Sequence, residues 1–519
     1  MSSVGRAAAV AYHLPVRTIR LTGSGLSLED LRAVAERRAK VELSPAARRR
    51  IASSRRVVDR LTRKGTVSYG ITTGFGRFSD VVIPKEKLAE LQQNLIRSHA
   101  SGVGEPLPLP AVRAMMVLRA NALAHGLSGI RPETVETILR MLAADVLPVV
   151  PAKGSVGASG DLAPLAHLAL AAMGEGEVFF HGRRATARRA LAAARIRPVD
   201  LAAKEGLALI NGVQMSCAVG GLALSRALRL VRVADLVGAM TVDACRGSDT
   251  AFDARIAAAR PHPGAVASAK NLRRLMAGSP IRESHRNCGK VQDNYALRCM
   301  PQVHGAVRDG LAYVRAALEI EMNAATDNPV VFAKTGEILA GGNFHGAPVA
   351  AAFDLAAIVL TDLASISERR LEKLVNPSLS GLPGFLTPEG GLQSGFMMAQ
   401  VTAAALVSEC KVLAHPASTD SIPTGAAKED HVSMSPIAAR KFSEVADNAA
   451  AVLGIELLAA CQALDFLRPR KSSPPIEAAR REVRRSVRTW TRDRFLAPEL
   501  EKGRALVESG FAGVLAGLD

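Results

Sequence analysis

The sequence predicts a mainly α protein, with a long-helix bundle core and a loop-rich N-terminal domain. Two observations carry this reading. Residues 302–325, 349–374, 396–413 and 443–467 hold helical spacing of apolar residues, few breakers and much Ala and Leu. Each run is far longer than a strand, and several such helices in one chain imply a bundle whose members bury apolar stripes on one another. Between and before them lie loops dense in Gly, Asn, Asp and Pro, at 69–76, 154–164, 326–329, 341–346 and 418–430. A protein built only for packing has little use for so many such loops, and loops on a rigid scaffold are where sites are made.

In chain order, residues 1–25 match no element and are expected as a flexible tail. Residues 1–28 carry no acid, and the apolar run at 7–11 is too short for a signal-peptide core. Ser27, followed by Asp30 and an apolar run, reads as a helix start, with helix to about Val41. The N-terminal domain is expected over 26–215. The longest uncharged stretch, 206–225, has the length of a membrane span. Asn211, Gln214 and several glycines interrupt it, and Asn211-Gly212-Val213-Gln214 reads as a turn entering a helix, so no span is expected. The bundle follows over 216–470, and a C-terminal helical segment over 471–519. Residues 467–494 hold ten Lys/Arg against three Asp/Glu, with Arg481, Arg485, Arg488 and Arg492 near one helical face. A solvated or subunit-facing surface is expected there.

Composition narrows the function. With 48% hydrophobic and 22% charged residues, the 519-residue chain has the balance of a globular protein. The net charge of +18 invites a nucleic-acid reading. The excess is mostly Arg spread along the chain, without zinc-finger spacing or an aromatic-rich RNA-binding signature. No nucleic-acid partner is therefore expected, and a basic binding scaffold stands only as the non-enzymatic alternative. Six cysteines form no CxxC and are too sparse for a disulfide framework, which fits reduced thiols in a cytoplasm. No HExxH occurs and the eleven histidines lack ligand spacing, so no metal is expected.

The most informative segment runs from Gly154 to Pro164, Gly-Ser-Val-Gly-Ala-Ser-Gly-Asp-Leu-Ala-Pro. It lacks the Lys-Ser/Thr ending of a phosphate-binding loop. A plain tight loop is one reading. The other is that the amide nitrogen of Gly160 attacks the carbonyl carbon of Ala158, an approach that a residue without Cβ permits. Ring closure and loss of water would leave Ser159 as an exocyclic methylene, giving a methylidene-imidazolone electrophile.

This loop resembles the cofactor-forming loop of the aromatic amino acid ammonia-lyases. YGITTGFG, NLIRSHASGVG, GSVGASGDLAPLAHLAL, KEGLALINGVQ, KVQDNYALRCMPQVHG, ATDNPVVF, GGNFHG and KEDHVSM resemble segments of that family in the same order, from about Leu26 to the C-terminus. Within it, Ser98-His99, Cys299 in ALRCMPQVHG and His415 in AHPAS resemble the branch that acts on histidine. The resemblance implies a mostly helical homotetramer with shared sites. It also implies conversion of L-histidine to trans-urocanate and ammonia, and a 4-methylidene-imidazol-5-one formed from Ala158, Ser159 and Gly160 with no external cofactor.

The same resemblance implies the roles of single residues. Tyr69 matches the catalytic base; a phenol titrates near ~10, so it must be held against cationic or hydrogen-bonding groups to work near neutrality. Arg298 matches the anchor of the substrate carboxylate, for which a guanidinium fork is suited. Tyr295, three residues before it, would share its face and reach the substrate or the cofactor carbonyl. Asn211 and Gln292 match amides beside the cofactor and substrate, able to donate to a developing oxyanion. Phe344 matches a residue near the electrophile, and Met397 a pocket wall. His99 and Glu429 match the groups around the substrate imidazole. Glu429, far in sequence from the cyclising loop, is expected to act on the substrate, so that its loss harms turnover far more than cofactor formation. In several histidine lyases Gln precedes this acid; here Lys428 does. The competing functions are a phenylalanine or tyrosine ammonia-lyase and an aromatic aminomutase, against which His99 and Glu429 argue.

Overall fold

A computed structural model describes residues 17–519, so the first sixteen residues of the expected tail lie outside the described residues. Two compact units emerge. The first comprises, among described residues, 17–155, 161–218 and 322–344. The second comprises Val156–Gly160, Val219–Glu321 and His345–Asp519.

The first unit combines helices with four small sheets. Arg17–Leu21, within the segment that matched no element, is a strand paired in parallel with Ala39–Leu43. The helix begun at Ser27 is capped as expected: the Ser27 hydroxyl accepts from the Asp30 amide at 3.1 Å, and the Ser27 amide donates to the Asp30 carboxylate at 3.2 Å. It runs over Leu28–Ala35 and stops well short of Val41. Arg37 takes φ 60, which breaks the helix, and the following residues satisfy their amides in the parallel strand pair. Leu109–Ala124 is buried on nearly every face and forms the centre of this unit. Leu88–His99, Leu162–Ala172 and Glu205–Ile210 pack together nearby. A cluster of Val57, Val58, Ile71, Leu88, Ala203 and Val331 pins the loop that carries Tyr69.

The second unit is the helix bundle. Met300–Met322, Ala347–Val375 and Met397–Leu413 match the sequence reading to within a few residues. Ser435–Phe466 begins eight residues before the expected 443, because Pro436 falls in its first turn, where a missing amide costs nothing. Ala347–Val375 and Ser435–Phe466 form the main packed pair, and the latter also packs on Met397–Leu413 and Ala497–Ser509. Small residues set the approach: a Cβ on Gly454 would stand 2.6 Å from the Arg504 backbone nitrogen, so only glycine lets those two helices meet. Ala347–Val375 and Ser435–Phe466 are long and apolar enough to cross a membrane, but 67% and 83% of their most apolar windows are buried in the protein, so both are core helices. The basic segment is only partly one helix. Pro474–Ser486 ends before Arg488 and Arg492, and Arg480 and Arg484 both pair with Asp465.

Candidate active site

The segment Val156–Gly160 is bent by two glycines in the left-handed region, Gly157 at φ 70 and Gly160 at φ 81. It is clamped from the start of Ser435–Phe466. The Ser433 hydroxyl donates to the Gly157 carbonyl at 3.1 Å, and the Met434 amide donates to the Val156 carbonyl at 2.9 Å. A Cβ on Gly157 would lie 2.3 Å from the Ser433 Oγ, so the clamp requires glycine. Ala158 is buried against Val432 and Met434. A tight, held loop ending in a residue without Cβ fits the backbone cyclisation that a methylidene-imidazolone requires.

The serine of that loop meets Glu429. The Ser159 hydroxyl donates to Glu429 Oε1 at 3.2 Å across 270 residues of chain. Glu429 is thus a neighbour of the cyclising loop in space, although far from it in sequence. Glu429 is itself held by Thr424, whose hydroxyl donates to Oε2 at 2.6 Å. The backbones of the two residues also pair in both directions, at 2.9 and 3.3 Å. Lys428 is exposed to solvent.

Within the same unit, the short helix Tyr295–Arg298 sets the guanidinium over a ring, with Arg298 Cζ 4.6 Å from the centroid of Tyr295. The shared face expected from their spacing is present. Arg298 Nε is buried without a hydrogen-bond partner among the described residues. Arg298 and Gln292 lie on the wall of a cavity of about 440 Å³, together with Arg246, Arg282 and Lys290. This wall has the charge to receive a carboxylate. Met397, the first residue of Met397–Leu413, is partly exposed and does not line that cavity.

The first unit holds Tyr69, His99, Asn211 and Phe344. Tyr69 sits half-buried in a turn built by threonines. The Ser68 amide donates to Thr72 Oγ1 at 2.9 Å, and that hydroxyl donates to the Thr66 carbonyl at 2.9 Å. The next residue, Gly70, has φ 69, and a Cβ there would stand 2.6 Å from Leu207 Cδ2. His99 ends Leu88–His99 and shares a hydrogen bond between its Nδ1 and the Ser98 hydroxyl at 3.0 Å. Asn211 is buried where Glu205–Ile210 ends. Its carbonyl accepts from Arg119 Nη1 at 2.6 Å, and the same nitrogen donates to Gln214 Oε1 at 2.9 Å. Burial pushes the Arg119 pKa down to about 10, and Asp327 pulls the other way. Phe344 is half-buried in the Gly-rich 341–346 loop.

Three residues that sequence reading did not single out shape this chemistry. Thr424 and Ser433 hold Glu429 and the loop, yet each is one hydroxyl among many in its segment. Asp161 follows Gly160 directly. It is fully buried, and its carboxylate accepts from the Ser216 amide and hydroxyl, both at 2.8 Å. Burial pushes its pKa up to about 6 against the pull of those bonds. Its position beside the Ala-Ser-Gly triplet was the one signal available.

Residues 26–485 match the model of the aromatic amino acid lyases, and the chain belongs to that family, whose members use a methylidene-imidazolone electrophile. It is 55% identical to the histidine ammonia-lyase of Stigmatella aurantiaca over 492 residues, covering 95% of this chain and 96% of the relative. The solved histidine ammonia-lyase of Trypanosoma cruzi superposes with a TM-score of 0.89 at 43% identity, covering 96% and 94% of the two chains. A tyrosine aminomutase from Streptomyces globisporus superposes with a TM-score of 0.91 at 38% identity, covering 96% and 98%.

Proposed function

We infer that the chain eliminates ammonia from L-histidine to give trans-urocanate. The observation that carries this reading is the hydrogen bond between Ser159 and Glu429. It sets the carboxylate matched to imidazole recognition against the residue matched to the electrophile. Ala158, Ser159 and Gly160 would hold the methylidene-imidazolone, which when formed supplies an electrophile that takes the substrate amine and makes it a better leaving group.

The other residues act on substrate. Arg298, whose Nε has no partner among the described residues, anchors the carboxylate, and Tyr295 backs the guanidinium. Tyr69 takes the β-proton. Asn211 and Gln292 donate to developing negative charge. Glu429 accepts an imidazole N–H and His99 pairs with the other ring nitrogen; burying either nitrogen unpaired would cost ~1–3 kcal/mol. Phe344 walls the pocket beside the electrophile, and Met397 lies outside the cavity lined by Arg298 and Gln292. The working form is a homotetramer with shared sites. Exposed apolar side chains on the bundle support this, among them Tyr313 and Ile320 on Met300–Met322 and Met398, Val401 and Val412 on Met397–Leu413. Six cysteines outside any disulfide fit a cytoplasmic setting.

The test is incubation of the purified protein separately with L-His, L-Phe and L-Tyr, following ammonia and product absorbance. Urocanate from L-His, with little product from the others, is expected. A preference for L-Phe or L-Tyr, or formation of a β-amino acid, would move the chain to another branch of the family.

A further inference from the structure

The Ser159 hydroxyl is the group that must leave when the electrophile forms, and Glu429 is its hydrogen-bond partner. We propose that Glu429 also serves the formation of the cofactor, relaying a proton within Ser159 during its dehydration, and that Thr424 positions it for this step. The inference rests on the reading that Ala158, Ser159 and Gly160 cyclise.

The chemistry balances without any further reactant. Ring closure joins the Gly160 nitrogen to the Ala158 carbonyl carbon. The former carbonyl oxygen leaves as the first water, carrying the hydrogens of the Gly160 and Ser159 nitrogens, and a C=N bond forms in the ring. In the second stage the Ser159 Cα–H bond breaks and its proton passes to the Glu429 carboxylate. The electron pair forms the Cα=Cβ bond as Cβ–Oγ breaks. Glu429 returns the proton to the departing oxygen, which leaves as the second water. The carboxylate ends as it began, and nothing is oxidised or reduced.

Three observations support this role. Oε1 lies 3.2 Å from Ser159 Oγ, within reach for proton return. Oε2 is occupied by the Thr424 hydroxyl at 2.6 Å, which leaves Oε1 turned to Ser159. The paired backbones of Thr424 and Glu429 close a short loop, and Gly425 at φ 57 lets that loop fold against the carboxylate. Thr424 is thus a positioning residue, acting through Glu429.

The experiment follows the intact mass of the full-length chain at intervals after cell-free synthesis. Wild type, Glu429→Gln, Thr424→Val and Thr424→Ser are compared, with circular dichroism as the check on folding. Wild type should lose two waters. Glu429→Gln keeps the shape and the acceptor but cannot relay a proton. It should close the ring and accumulate a species lighter by one water, with the second loss slowed ~10²-fold or more. Thr424→Val should slow the second loss ~10-fold, and Thr424→Ser should restore it.

A Glu429→Gln protein that loses both waters at the wild-type rate overturns the proposal. So does a folded one that loses neither, because the carboxylate would then serve ring closure. Should that variant fail to fold, the threonine pair decides: slow Val with normal Ser supports the role, and equal rates overturn it. A wild type that loses no water overturns the cyclisation reading itself, a distinct result.

Discussion

In the bundle core, Arg370 is fully buried and each guanidinium nitrogen has a partner. Nε and Nη2 donate to Glu456 at 2.6 and 2.8 Å, and Nη1 donates to His304 Nε2 at 3.2 Å. Glu456 is as fully used, also accepting from Thr241 at 2.7 Å and Ser367 at 2.6 Å. The charges of the candidate site in the same unit are held less completely. Arg298 keeps a buried Nε without a partner among the described residues, and Glu429 is half-exposed, held by two loop hydroxyls. A buried charge with all its partners inside the fold has its energy committed to structure. A charge held in position with capacity left over is ready for a ligand. Removing either kind should damage different properties, and that contrast can be broken by experiment.

Outside the cyclising triplet, the largest effect should come from Tyr69→Phe, which removes one oxygen and little volume. Turnover should fall ~10²–10⁴-fold with the fold intact, the usual worth of a general base. Steady-state kinetics on L-His checks it, and a change of only a few-fold would pass the base role to another group. Arg370→Met should do the reverse. Stranding the buried Glu456 carboxylate should cost ~3–5 kcal/mol of stability, read from urea unfolding. Arg298→Lys keeps the charge and loses the fork. A drop in kcat/KM of ~10–100-fold is expected, mostly in KM, matching the ~1.5–3 kcal/mol of hydrogen bonds to a charged group. Stability should stay within ~0.5 kcal/mol. If Arg298→Lys destabilises as strongly as Arg370→Met, the distinction between the two arginines fails.

The smallest effect concerns pH. Burial lowers the pKa of His304 below its ordinary 6.5, and Arg370 and Arg308 add to this against the pull of Asp235. Burial alone would raise Asp235, but Arg308 and the hydrogen bonds from His304 and Asn271 outweigh it and hold it below its ordinary value. Neutral His304 then donates from Nδ1 to Asp235 at 2.8 Å and accepts from Arg370 at Nε2. Because the folded pKa lies below the unfolded one, the unfolded chain takes up the proton first on acidification. The stability is present above pH 6.5 and is lost as pH falls towards the folded pKa. Urea unfolding between pH ~7 and ~5 should show that loss.

The long helices were legible because runs of Ala and Leu with few breakers leave little else to form. The helix begun at Ser27 ends sooner than its apolar pattern suggests, since the sequence around Arg37 hides both the positive φ and the strand partner at Arg17–Leu21. Arg298 and Tyr295 could be read as sharing a face, because their spacing is local. The meeting of Ser159 with Glu429 could not, because tertiary packing alone closes a gap of 270 residues. Thr424 was hidden for a related reason: its importance lies in the one oxygen it touches.

We propose that this chain builds its electrophile from its own backbone and uses it on histidine. Intact-mass measurement of purified wild type and Ser159→Ala, each then assayed on L-His, tests it most directly. Wild type should weigh two waters less than its sequence and release ammonia. Ser159→Ala should fold and lose ~10⁶-fold or more of that rate, having no hydroxyl to eliminate. An unshifted wild-type mass together with full activity would contradict the account.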